Sequence, residues 1–148
     1  ESYDAQMLPL GLALTQAYTA QHSRAARVMA ANGLSPAEFD VLASLRRTPP
    51  PHALTPSDIQ RTVLITSGGL TKVLRQLEAR GLVTRSMQDA DRRVKPVALT
   101  DQAMPVLEKA MSELHMVIGD WLRRSLTDAE IRQLVSLLTK LVNGASST

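Results

Sequence analysis

Residues 55–100 read TPSDIQRTVLITSGGLTKVLRQLEARGLVTRSMQDADRRVKPVALT, and this stretch decides the fold. Thr55, Pro56 and Asp58 form a helix start: a hydroxyl N-cap, proline at the first helical position and an acid in the first turn. Thr66 or Ser67 opens a second helix, in which Leu70, Val73, Leu74 and Leu77 recur at helical spacing. Gly81 stops it, because glycine takes the left-handed conformation that a helix C-terminus needs. Leu82 to Arg85 then reads as a strand, 89–93 as a polar turn, and Lys95 to Leu99 as the returning strand. Helix, turn, helix and basic hairpin is the layout of a winged helix-turn-helix that reads double-stranded DNA.

Charge is concentrated on the same unit. Between Thr66 and Lys95 stand seven basic residues (Lys72, Arg75, Arg80, Arg85, Arg92, Arg93, Lys95) against Glu78, Asp89 and Asp91. That local excess of four exceeds the +3 of the whole chain. An excess confined to one helix and its hairpin suits phosphate neutralisation, whereas an ordinary solvated face would spread its charge.

Composition narrows the function further. The 148 residues allow one domain, and 44% hydrophobic content is enough for a core. Only 3% are aromatic, too few to stack single-stranded bases. There is no cysteine, which excludes disulfides, thiol nucleophiles and thiolate metal sites. No apolar run approaches a membrane span and the first residues do not read as a signal peptide, so a cytoplasmic protein without membrane partners is expected. His22, His52 and His115 lack ligand spacing, and no nucleophile elbow, phosphate loop or dinucleotide motif occurs. Neither an enzyme nor a cofactor or metal site is expected.

Helices flank the central unit. Residues 7–31 form a long alanine-rich helix with Leu10, Leu14, Ala17, Tyr18, Ala25, Val28 and Met29 at apolar positions, ended by Asn32-Gly33. Ser35-Pro-Ala-Glu38 is a capping box whose helix buries Phe39, Leu42 and Leu45. Thr48-Pro-Pro-Pro-His52 reads as a stiff extended connector. Thr100-Asp101 is expected to cap a helix whose Met104, Leu107, Met111, Leu114, Ile118 and Trp121 make a heptad-like seam. Thr127-Asp-Ala-Glu130 is a second capping box, opening an amphipathic helix with Leu134, Leu138 and Leu141. The expected class is mainly α (α+β): residues 1–148 as one domain, 35–100 as the DNA-binding winged helix-turn-helix, and 1–33 with 101–143 as dimerisation helices. The expected dimer interface takes in Leu10, Leu14, Leu114, Ile118, Trp121, Leu134, Leu138 and Leu141.

These residues resemble the multiple antibiotic resistance regulator (MarR) family of transcription factors. The match rests on Asp91-x-Arg93 with Leu99-Thr100, on Thr66-Ser-Gly-Gly-Leu-Thr71 and on Leu77-Glu-Ala-Arg-Gly-Leu-Val83. The resemblance implies a homodimeric repressor that binds a palindromic operator and is released by a small aromatic effector. It implies DNA contacts from Thr55, Ser57, Thr66, Ser67, Gly68, Thr71, Lys72, Arg75, Arg92, Arg93 and Lys95, with Asp91 orienting the wing arginine. Glu38-Phe-Asp-Val-Leu42 also looks like the family's urate-responsive branch, with Asp40 and Arg85 at its acid and strand positions. Val73 stands where that branch has an arginine and Trp121 lies outside the first helix, which implies another effector, held by Asp40, Arg85, Tyr18 and His22. A constitutive DNA binder without effector and a winged-helix protein-interaction module are the alternatives.

Overall fold

The computed structural model describes residues 7–63, 65–85 and 95–145. In chain order the elements are α1 (Met7–Ala31), α2 (Pro36–Arg46), β1 (Ala53–Leu54), α3 (Pro56–Val63), α4 (Ser67–Ala79), β2 (Val83–Arg85), β3 (Val97–Leu99), α5 (Ala103–Ser125) and α6 (Asp128–Ala145).

Local signals explain most boundaries. Gly33, at φ 68°, turns the chain out of α1, and Gly81, at φ 69°, does the same after α4. The α2 capping box is complete: the Glu38 amide donates to Ser35 Oγ and the Ser35 amide donates to Glu38 Oε2. The second box, at Thr127 and Glu130, opens α6 in the same way.

The sheet is antiparallel with order β1-β3-β2, and Val83 pairs with Leu99, Thr84 with Ala98 and Arg85 with Val97. Three expectations are corrected here. Residues 48–52 form a turn containing a cis Pro50–Pro51 bond, and an unforeseen strand follows, with Ala53 paired to Ala98. The two strands β2 and β3 are shorter than the expected runs from Leu82 and Lys95. Thr100 does not cap α5: its hydroxyl donates to the Gly81 carbonyl at 2.7 Å, tying the wing's exit to the end of α4. Gln102 precedes α5 without a side-chain cap.

One core joins the C-terminal end of α1, α2, α3, the inner face of α4, the sheet and the start of α5. Leu42, Leu45, Ile59, Leu77, Leu107, Val41 and Val97 are its largest fully buried side chains. The heptad-like seam of α5 is therefore used partly inside the chain: Leu107 is buried, and Met111 and Leu114 pack on the core. Leu114, expected at a dimer interface, has much of its surface covered this way. Ile118 and Trp121 are half-buried, and the Arg24 guanidinium lies 4.6 Å from the Trp121 ring centroid. By contrast Leu10, Leu134, Leu138 and Leu141 are exposed and Leu14 half-buried. α6 buries no residue at all. No helix among the described residues is long and apolar enough to cross a membrane.

Candidate nucleic-acid interface

α4 is amphipathic in the sense a reading helix requires. Leu70, Val73, Leu74 and Leu77 are buried, while Ser67, Gly68, Thr71, Lys72 and Arg75 are exposed. Thr66 is its N-cap, with Oγ1 accepting from the Gly69 amide at 3.2 Å. The amides of Ser67 and Gly68 are first-turn donors with no intrahelical acceptor, so this end of the helix can receive a phosphate. The two glycines differ. A Cβ at Gly68 would meet nothing within 4 Å, whereas one at Gly69 would lie 3.0 Å from Thr66 Oγ1 and 3.2 Å from Ile65 Cγ1. Gly69 thus serves packing, and Gly68 leaves the outer surface bare.

α3 lies alongside. Thr55 caps it: its hydroxyl donates to Asp58 Oδ2 at 2.7 Å and accepts from the Asp58 amide at 3.1 Å. That hydroxyl bond, more than the neighbouring Arg61, holds the Asp58 carboxyl below the usual range. Ser57, Gln60, Arg61, Ile65 and Thr66 line an open groove between α3 and the start of α4. Gln60 and Arg61 belong to this surface but precede the stretch over which charge was counted. The i, i+3 spacing of Asp58 and Arg61, which form an ion pair, was the available signal.

The seven cations counted in sequence divide by role. Among the described residues Lys72, Arg75 and Lys95 make no salt bridge, and all three are exposed. Arg80 is committed to Glu38 at 3.2 Å, and Arg85 Nε lies 3.7 Å from Glu78. Asp91, Arg92 and Arg93 lie outside the described residues.

A second concavity sits between α1, α2 and α5, lined by His22, Ala25, Met29, Pro36, Phe39 and Asp40 among others. Tyr18 stacks on His22 with ring centroids 5.5 Å apart. The cleft raises the Asp40 carboxyl above its ordinary range through partial burial, against the pull of Arg47 and His22. Two of the four residues expected at an effector site, His22 and Asp40, line this cleft, and the exposed Tyr18 joins them only through its stacking on His22. Arg85 is not with them; its side chain turns to Glu78 at the root of the wing, a pairing that strand alternation alone left open.

Comparison with known proteins identifies this arrangement. The family model described as MarR family matches residues 32–94. The regulator PecS of Dickeya dadantii is 38% identical over 80 residues, 54% of this chain and 48% of PecS, so the match spans about half of that relative. An uncharacterised helix-turn-helix regulator of Bacillus cereus is 32% identical over 108 residues, 73% of this chain and 69% of the relative. Among solved structures, Bordetella bronchiseptica BpsR, described in terms of the regulation of its DNA binding by 6-hydroxynicotinic acid, superposes with a TM-score of 0.76. It is 28% identical, over 90% of this chain and 98% of BpsR. The chain belongs to the MarR family of DNA-binding transcriptional regulators.

Proposed function

We propose that the protein is a homodimeric repressor that binds a palindromic operator and leaves it when a small aromatic effector fills the cleft beside His22 and Asp40. The observation that carries this reading is the outer face of α4, where Lys72 and Arg75 stand exposed, with no salt bridge among the described residues, beside Thr71 and the bare Gly68. In this reading Ser67, Thr71, Lys72 and Arg75 meet the major groove. Thr55, Ser57, Thr66, Gly68 and Lys95 serve the backbone, and Arg92 and Arg93 serve the wing, oriented by Asp91.

The dimer is supported by Leu134, Leu138 and Leu141 on an α6 that buries nothing, since a lone amphipathic helix gains its stability from packing. Residues 35–100 then form the reading part, and 1–33 with 101–143 the pairing part. The effector is supported by the concavity that His22 and Asp40 line, by the Tyr18 ring stacked on His22, and by the regulation described for BpsR. A cytoplasmic location follows from this role.

Fluorescence anisotropy on duplex DNA from upstream of its own gene, across a salt series, tests the reading. Binding is expected to be steeply salt-dependent: Lys95→Ala, at a backbone contact, should flatten the log–log slope by about 0.9, whereas Arg75→Ala should weaken binding and relax the sequence preference. A panel of aromatic acids should contain at least one compound that releases the DNA. A slope untouched by Lys95→Ala together with an affinity untouched by Arg75→Ala would contradict the assignment of these residues.

A further inference from the structure

The corner between α1 and α2 is built more heavily than a turn needs. Asn32 Nδ2 donates to Glu113 Oε2 on α5 at 2.6 Å and also to the Val28 carbonyl at 2.9 Å. Six residues on, the Glu38 side chain is only 9% exposed and has both oxygens in use. Oε2 accepts from the Ser35 amide at 2.8 Å, and Oε1 accepts from Arg80 Nη1 at 3.2 Å. Arg80 is the C-cap of α4. Its guanidinium lies over the corner, with Nη2 3.7 Å from where a Cβ of Gly33 would stand. A carboxylate this buried needs its cation, because an unpaired charge there would be costly.

The geometry points to a joint: through Glu113–Asn32 on one side and Glu38–Arg80 on the other, the Asn32–Glu38 corner fixes the angle of the reading helix α4 against the long helix α5. Glu38 and Arg80 are then positioning residues that set DNA affinity without touching DNA. Arg80, one of the seven cations of this unit but not one of the expected DNA contacts, acts at the end of α4 opposite to the one that meets the duplex. A helix pivoting about a loose end misplaces Thr71 and Arg75 by more than a hydrogen bond tolerates, so ordering it in advance removes a cost from binding.

The test uses a duplex selected by the wild-type protein from a random library. Arg80→Ala and Glu38→Gln should each weaken binding by about tenfold while leaving the salt slope unchanged, as expected of residues coupled to a site they do not contact. Arg80→Lys, which keeps the charge within reach of Glu38, should recover most of the loss. The chain has no cysteine, so spin labels can be placed at the exposed Gln76 and Ser112 alone. In doubly labelled chains diluted with unlabelled ones, the distance distribution should broaden in Arg80→Ala and stay sharp in Arg75→Ala. If Glu38→Gln fails to fold, Asn32→Ala loosens the same joint from the α5 side and should broaden it too. A salt slope flattened by about 0.9 in Arg80→Ala would make Arg80 a phosphate contact and overturn the joint. Unchanged affinity with only a lower melting temperature, or a distribution that stays sharp, would overturn it as well.

Discussion

Gly68 and Gly69 are neighbours of one type with two duties, and substitution should separate them. At Gly69 an added methyl would press on Thr66 Oγ1 and Ile65, the cap and the turn before the helix. Gly69→Ala should therefore lower the melting temperature. Gly68→Ala meets open space, so it should hold or raise stability by up to about 1 kcal/mol while weakening DNA binding, read by calorimetry and anisotropy on the same samples. Asp40 gives a pH test. Its carboxyl is raised in the folded protein, so its contribution is most favourable below its unfolded value and is lost as pH rises through the folded value. Asp40→Asn should accordingly raise the melting temperature at neutral pH and leave it nearly unchanged in acid. An equal shift at both pH values would contradict the cause given for the raised carboxyl. At this scale the sequence shows caps well, because Thr55 and Thr66 meet partners three residues away. It does not show that Arg80 belongs to Glu38, since the two are 42 residues apart and only the fold joins them.

Among the elements, the long helices were legible from periodicity and the reading helix from its cap, its apolar stripe and Gly81. β1 was not, because a two-residue strand has no alternation to detect and owes its existence to pairing with β3. The role of Thr100 was hidden for a similar reason: a threonine before a helix usually caps it, but here α5 starts later, after Gln102, and the hydroxyl donates to the Gly81 carbonyl, 19 residues away. α6 is the element whose state depends most on what covers it. Leu138→Glu with Leu141→Glu should convert a dimer into monomers in analytical ultracentrifugation, because two charges would enter an apolar seam. The doubly substituted chain should keep its helical signal in circular dichroism, since none of the core comes from α6. A dimer that survives both substitutions would place the seam elsewhere.

For the molecule as a whole, the fold follows from one core that seats α4 with its cations outward, while two helical ends leave apolar faces uncovered. Sequence patterning conveyed that division, because burial of α4 and α2 follows their own periodicity. It conveyed less about which half of α5 faces its own chain, since a seam of Met and Leu suits either partner. If two copies join through these ends, the two α4 helices read successive major-groove faces of one duplex, about 34 Å apart. The most direct measurement is the selection of duplexes from a random library by the wild-type protein, followed by sequencing. Enrichment of an inverted repeat with half-site centres about 10 base pairs apart is the predicted result. Enrichment of a single unrepeated motif, or of no motif, would contradict a dimer that reads DNA with paired α4 helices.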